Sequence, residues 1–233
     1  MVMMQTLIGS YAAAAAGATT LLATGTTTDT SFQLSGDSYN YPFSVSSGDS
    51  VVIAFAARVN GAFGSARGPS TYTVTDSAGN TWTQLASINQ SNGLTQSAIF
   101  KCDLTASVTT SSTITISSTG TDNAEELGLG WFHFGTGTVS DIDTTTSQPA
   151  PSGTLSETVA MGGSTGTAIH VISTGLTSPP TNVNSSTGFT KLLEFTNSQS
   201  STYIYYKENV TGNVTNTLAI PGGAWSSTMT GVA

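Results

Sequence analysis

The chain has little charge. Its 233 residues carry 5 Lys plus Arg against 13 Asp plus Glu, only 8% charged in all, for a formal net charge of -8 and a pI of about 4.3. A binder of phosphate backbones needs a dense basic face, so nucleic acid is not expected as a partner of this chain. A helical bundle is also a poor fit, because solvent-facing helix surfaces are filled with Glu, Lys and Arg. Cysteine is nearly absent. Cys102 is the only one, so no intramolecular disulfide can form, which fits folding in a reducing compartment. With no His or basic partner evident beside it, Cys102 reads as a buried structural thiol rather than a nucleophile. No segment approaches the roughly 18 apolar residues of a membrane helix, so no membrane insertion is expected. The first ten residues contain no Lys or Arg, whereas a secretory signal needs a basic start. The expectation is an unprocessed, soluble product.

The polarity comes instead from Ser and Thr, roughly a third of the chain against much lower ordinary usage. Thr is β-branched and suits a half-exposed pleated surface. Ser, Gly, Asn and Asp suit turns. With apolar residues at 37% and a mean hydropathy of +0.05, the chain can build a core and is not a disordered polymer. The fold class expected is all-β: an antiparallel β-sandwich, jelly-roll-like and internally duplicated, with little or no helix. Only 12–18, the Ala-rich stretch, has helical composition, and Gly17 limits it. A hydroxyl surface has a further property: another subunit can cover it without stranding charges, since hydroxyls donate or accept.

Periodicity predicts strands at 5–10, 31–35, 50–57, 71–76, 81–87, 96–102, 113–117 and 127–134, then at 155–160, 167–173, 189–195, 202–207, 216–220 and 226–232. Thr113-Ile114-Thr115-Ile116-Ser117 alternates cleanly, placing its isoleucines on one face. Val51-Val52-Ile53-Ala54-Phe55-Ala56-Ala57 is apolar on both sides and reads as a central strand covered on both faces. Asp76-Ser77-Ala78-Gly79-Asn80 reads as a hairpin turn. Loops are expected at 61–69, 148–153 and 178–181, rich in Gly or Pro.

Elements recur in the same order about a hundred residues apart. Gly79-Asn80-Thr81-Trp82 is matched by Gly188-Phe189-Thr190-Lys191, and Ser97-Ala98-Ile99-Phe100-Lys101 by Tyr203-Ile204-Tyr205-Tyr206-Lys207. Val52-Ile53-Ala54-Phe55-Ala56 is set against Ala168-Ile169-His170-Val171-Ile172, and the surroundings of Trp131 against those of Trp225. This reading divides the chain into a first half, 1–137, and a second, 138–233, packed closely because no clear linker separates them.

Few residue patterns carry chemistry. His133 and His170 lie far apart, without Cys or paired carboxylates at ligand spacing. Each is read as a hydrogen-bonded strand histidine. No Gly-x-Ser-x-Gly elbow is present, and His is too scarce to suggest a Ser-His-Asp site. Asp141 and Asp143 offer oxygen ligands for Ca²⁺ if they sit on a loop; a solvated acidic turn is the competing reading, as it is for Asp122, Glu125 and Glu126. Tyr39, Tyr41 and Phe43 alternate and share one side if extended, forming a glycan-stacking platform if exposed and a core stripe if not. Tyr203, Tyr205 and Tyr206 pose the same choice. Asn-x-Ser/Thr sequons at Asn89, Asn184, Asn209 and Asn213 arise by chance in such a composition. No catalytic residue, cofactor or metal ligand is assigned, and the chain is read as a non-enzyme.

The layout resembles a β-sandwich type found in tailed-phage virion proteins and bacterial surface proteins. The residues that carry the resemblance are Ile8-Gly9-Ser10-Tyr11, Ser47-Gly48-Asp49 leading into the apolar strand, Thr75-Asp76-Ser77-Ala78-Gly79-Asn80-Thr81-Trp82-Thr83, Tyr205-Tyr206-Lys207 and Ala224-Trp225-Ser226. They are turn and core signals. The resemblance implies a bacteriophage virion structural protein, as capsid decoration, head fibre or small tail component. It would be assembled in the host cytoplasm and exposed on the particle, with other virion proteins and further copies of itself as partners. The alternative it implies is a carbohydrate-binding or host-adhesion module that engages host surface glycans. The Ala-rich N-terminal segment and the open sheet edges are the expected subunit contacts.

Overall fold

The computed structural model describes residues 20–33, 35–59, 71–89, 95–118, 124–147, 153–175, 183–196, 200–220 and 224–233. They form fifteen strands: β1 (Leu21–Asp29), β2 (Asp37–Asn40), β3 (Ser50–Val59), β4 (Tyr72–Asp76), β5 (Thr83–Asn89), β6 (Thr95–Asp103), β7 (Thr113–Ser118), β8 (Ala124–Phe134), β9 (Asp141–Ser147), β10 (Thr154–Ala160), β11 (Gly166–Gly175), β12 (Thr190–Thr196), β13 (Ser200–Val210), β14 (Asn213–Ala219) and β15 (Ala224–Val232). Among the described residues there is no helix, and every strand pairing is antiparallel. The protein is an all-β antiparallel sandwich.

The sandwich has four layers. β1-β8-β3-β6-β5 form one five-stranded sheet and β12-β13-β11-β15-β9 another; β2-β7-β4 and β10-β14 form smaller sheets. The first core lies between β2-β7-β4 and the first five-stranded sheet, with Tyr39, Tyr41, Tyr72, Val74, Ile114 and Ile116 against Ile53, Phe55, Phe100 and Trp131. The second lies between β10-β14 and the other five-stranded sheet, around Val159, Ile172, Tyr203, Leu218 and Trp225. A third joins the two large sheets through Val52, Ala54, Ile99, Phe132, Ile169, Val171 and Ile204. β3 shows how sequence dictates this. Its odd residues, Val51, Ile53, Phe55 and Ala57, fill the first core, and its even ones, Val52, Ala54 and Ala56, fill the third. A strand covered on both faces has no polar side to offer, hence the unbroken apolar run. Strands of the outer sheets have one wet face and alternate instead: β10 and β14 bury every second residue.

Small residues set the close approach of the large sheets. A Cβ on Gly128 would lie 2.8 Å from Thr202 Cβ, and one on Gly130 would lie 3.1 Å from both Ile204 Cδ1 and Leu192 Cδ2. At this sheet spacing a side chain at Gly128 would force a shift, and one at Gly130 would press on its neighbours.

The Asp76–Asn80 turn is a hub. Asp76 Oδ1 accepts from the backbone N–H of Ala78 (2.9 Å) and Asn80 (3.0 Å), and its Oδ2 accepts from Tyr41 Oη (3.3 Å) and Trp82 Nε1 (3.2 Å). Asn80 Oδ1 accepts from Thr105 N and Ala106 N at 3.0 and 2.8 Å, and Asn80 Nδ2 donates to Ala106 O. The second half repeats the first of these devices. Ser185 Oγ accepts from the N–H groups two and four residues on, Thr187 (3.2 Å) and Phe189 (3.4 Å). The third residue on is a left-handed glycine in each case: Gly79 at φ 78° and Gly188 at φ 76°.

The structure departs from the sequence reading in several places. β1, β2 and β9 lie outside the strands that periodicity predicts; Thr24, Thr26, Thr27 and Thr28 in β1 and Thr144 to Thr146 in β9 lack apolar alternation, and β2 is only four residues long. Of the strand expected at 31–35, the described residues 31–33 and 35 are not strand, although Phe32 there is fully buried. Expectations at 5–10, 12–18, 61–69 and 178–181, and the Ile8–Tyr11 motif, lie outside the described residues, as do all but the last position of 148–153. The strand order is the same in the two halves, position for position, with β5-β6-β3-β8-β1 matching β12-β13-β11-β15-β9. The residue pairing taken from the sequence is not reproduced in two strands. Ile53 faces its own half's core, but its assigned counterpart Ile169 faces the other half. Ala98 faces its own core, while its assigned counterpart Ile204 does not. Both comparisons are out by an odd number of residues, and such a slip turns every side chain to the opposite face.

Candidate functional site

Among the described residues, three constellations have residue types that could do chemistry. The first is Ser227, His170 and Asn216. His170 Nε2 is 2.6 Å from Ser227 Oγ, and Asn216 Nδ2 is 2.9 Å from His170 Nδ1. The order of groups is that of a nucleophile, base and orienting residue. Two observations rule out that role in this fold. All three residues are fully buried, at 0% exposure, so no substrate reaches the hydroxyl. The proton also sits on the wrong nitrogen. Ser185 Oγ, already accepting two backbone N–H groups, directs its own proton to Asn216 Oδ1 at 2.6 Å. This orients the amide so that Nδ2 donates to His170 Nδ1, leaving His170 Nε2–H to donate to Ser227. A base would have to accept there. Burial lowers the His170 pKa to about 3, so the imidazole is neutral and serves as a spacer in a polar chain between β15, β11 and β14.

The second is His133 and Asp49. Their Nε2 and Oδ2 atoms are 2.9 Å apart, and Phe43 stacks on the imidazole at 5.5 Å. Asp49 lines an open cleft of about 490 Å³ with Thr20, Leu22, Gly135 and Thr136. Leu22 is 56% exposed there. The cleft offers one carboxylate, two hydroxyls and an apolar side chain, which suits a weak polar contact better than bond making.

The third is the ion pair of Arg58 and Glu126, 3.5 Å apart with both side chains almost fully enclosed. Glu126 Oε2 also accepts from Ser200 Oγ of the second half. This is a bridge between the large sheets. Among the described residues, no three His, Cys, Asp or Glu side chains gather as a metal site.

The aromatic residues singled out from sequence do not make an exposed row. Tyr39 and Tyr41 are 8% and 1% exposed and belong to the first core. Their hydroxyls bond Asp29 (2.9 Å) and Asp76 (3.3 Å). Burial first, and the neighbouring carboxylates second, hold both phenols above the ordinary tyrosine range. Phe43 packs against the same core while stacked on His133. Tyr39 and Tyr41 thus form part of a core stripe, with Phe43 partly buried beside them. Tyr203 and Tyr205 are fully buried, and Tyr206 meets Phe132 edge-on at 5.8 Å.

Asp141 and Asp143 are on edge strand β9, not on a loop. Asp141 Oδ1 accepts from Thr144 Oγ1 and Thr230 Oγ1, and Asp143 accepts from Thr144 N and Ala160 N. Neither the loop that Ca²⁺ ligands would need nor the solvated acidic turn set against it is present: both residues belong to a paired strand. Asp122 lies outside the described residues. Cys102 is buried, and burial, with Asp76 and Asp103 nearby, pushes its thiol up to about 12. No protein-family model, curated protein or solved structure matches the chain.

What sequence reasoning missed is the side-chain chain from Ser227 to Ser185. Its members come from β15, β11, β14 and the turn before β12, and no spacing in the sequence links them.

Proposed function

We propose that this chain is a non-enzymatic structural protein of a bacteriophage virion, a capsid decoration, head fibre or small tail component that works through its surface. One observation carries the reading: the wet faces of both outer sheets are charge-free hydroxyl ladders. Ser38 Oγ pairs with Thr115 Oγ1 at 2.8 Å on the β2-β7-β4 sheet. Ser156 pairs with Thr217 at 3.1 Å, and Thr158 with Thr215 at 2.8 Å, on β10-β14. Such faces can be covered by a neighbouring subunit with no ion to desolvate, a cost of several kcal/mol per charge where one is stranded. Edge strands lie near one another across the two large sheets, β1 near β12 and β5 near β9, giving two flanks for strand addition. Host glycan binding, the other reading, loses support with the burial of Tyr39 and Tyr41.

The test is proteomic. Particles of the phage encoding this chain are purified and digested for mass spectrometry, and the recombinant protein is sedimented across a concentration series. Stoichiometric presence in particles is the expected result. A chain absent from particles and monomeric throughout would end the proposal.

A further inference from the structure

We infer that the face joining the two large sheets is a self-complementary, isologous interface, so that the partner each half is built to take is a second copy of the same fold, supplied here in the same chain. This goes beyond the virion reading and does not depend on it. Four observations support it.

First, the strand orders match position for position, so β3 corresponds to β11, β8 to β15, β6 to β13, β1 to β9 and β5 to β12. Second, the cross-sheet contacts obey the rule of a two-fold axis, in which, if i touches j, the equivalent of j touches the equivalent of i. β3 lies on its own counterpart β11. β8 meets β13, and the equivalent pair β15 and β6 also meet. β1 meets β12, and the equivalent pair β9 and β5 also meet. Third, the direction is fixed. Glu126, beside Arg58 near the end of β3, bonds Ser200, which pairs with Gly175 at the end of β11. At the opposite end Phe134, Val139 and Val232 share the third core. β3 and β11 therefore run the same way, and the approximate axis lies along the strands between the sheets. Fourth, the axis makes two chain positions equivalent, the passage from β8 to β9 and the ends of the described chain at β15 and β1. They are indeed neighbours: Gly135 N donates to Thr20 O at 3.0 Å, and Ser140 and Ala233 exchange backbone hydrogen bonds at 2.7 and 3.1 Å.

Two consequences separate this from a mere stack of sheets. The halves hold without the peptide connection, and their order along the chain can be exchanged. For the first, a specific protease sequence is inserted between Gly137 and Thr138, where 136–138 are exposed. The folded protein is cleaved and examined by size exclusion and native mass spectrometry. One particle containing both fragments is expected; fragments that separate or precipitate overturn the inference. For the second, a circular permutant begins at Thr138, joins Ala233 to Met1 and ends at Gly137. A companion joins Ala233 to Thr20 through a copy of the 135–140 sequence. At least one is expected to be soluble, with the parent's circular dichroism and a melting midpoint within about 5 °C. If both permutants are unfolded, the two-fold relation is wrong even where the cleaved particle survives.

Discussion

Replacing Asp76 by Ala removes one acceptor from four donors at once: the N–H groups of Ala78 and Asn80, the Tyr41 hydroxyl and the Trp82 indole. Two of these donors belong to buried residues, since Tyr41 is 1% and Asn80 6% exposed. Ala78 and Trp82 are half-buried, so water replaces part of what they lose. A donor left unmet in the interior costs about 1–3 kcal/mol. Two such donors, combined less than additively within one network, place Asp76→Ala about 2–4 kcal/mol below the parent. For a chain of this size each kcal/mol moves the midpoint by about 2–4 °C, so the loss should be plain in a thermal melt and in urea titrations followed by tryptophan fluorescence. Asp76→Ser provides the internal control. Ser185 shows that a hydroxyl can hold this turn, so the serine keeps the two backbone bonds and loses only the two ring donors. It should fall about midway. Asp76→Ala within about 0.5 kcal/mol of the parent, the range of an ordinary surface change, would refute the hub, and so would a serine variant no better than alanine.

Other consequences are as direct. His170 is neutral in the fold because burial lowers its pKa to about 3, while an unfolded histidine titrates near 6.5. The unfolded chain therefore binds the extra proton between those values. Stability is fully present above about pH 6.5 and is lost on acidification by up to about 1.4 kcal/mol per pH unit; urea midpoints at pH 7, 6 and 5 should show a steeper fall for the parent than for His170→Gln. Gly128→Ala pushes a methyl to 2.8 Å from Thr202 Cβ. It should cost about 1–3 kcal/mol as overpacking, measured in urea, and Thr202→Gly, which removes the opposing Cβ, Cγ2 and Oγ1 together, should cost less in the Gly128→Ala chain than in the parent. Cys102, with its thiol raised to about 12 by burial, should resist a disulfide reagent at pH 8 in the native protein and react fully in denaturant, read by absorbance.

The candidate sites were less legible than the fold. Each histidine is hydrogen-bonded within a strand, as its apolar neighbours suggest, but the sequence does not reveal that His170 stands between a serine and an asparagine. Tyr39, Tyr41 and Phe43 share a side as their alternation requires. Alternation fixes which residues share a face, and only the packing of β2-β7-β4 onto β3 and β8 makes that face the dry one. Asp141 and Asp143 looked like a loop because β9 has a hydroxyl where most strands have an aliphatic side chain. As an edge strand on β15 it owes its order to pairing more than to its own burial.

Composition alone made this an all-β protein. A chain with so few charges and so many β-branched hydroxyl residues cannot cover helices but can cover sheets. The unbroken apolar run of β3 already demanded cover on both faces, hence more than two layers. What covers it, and in which register, was left to tertiary structure. A strand's side chains repeat every two residues, so sequence similarity cannot tell a correct match from one slipped by a single residue. Contact does, because the slipped alternative would put β3's neighbours on the wrong side of the sheet.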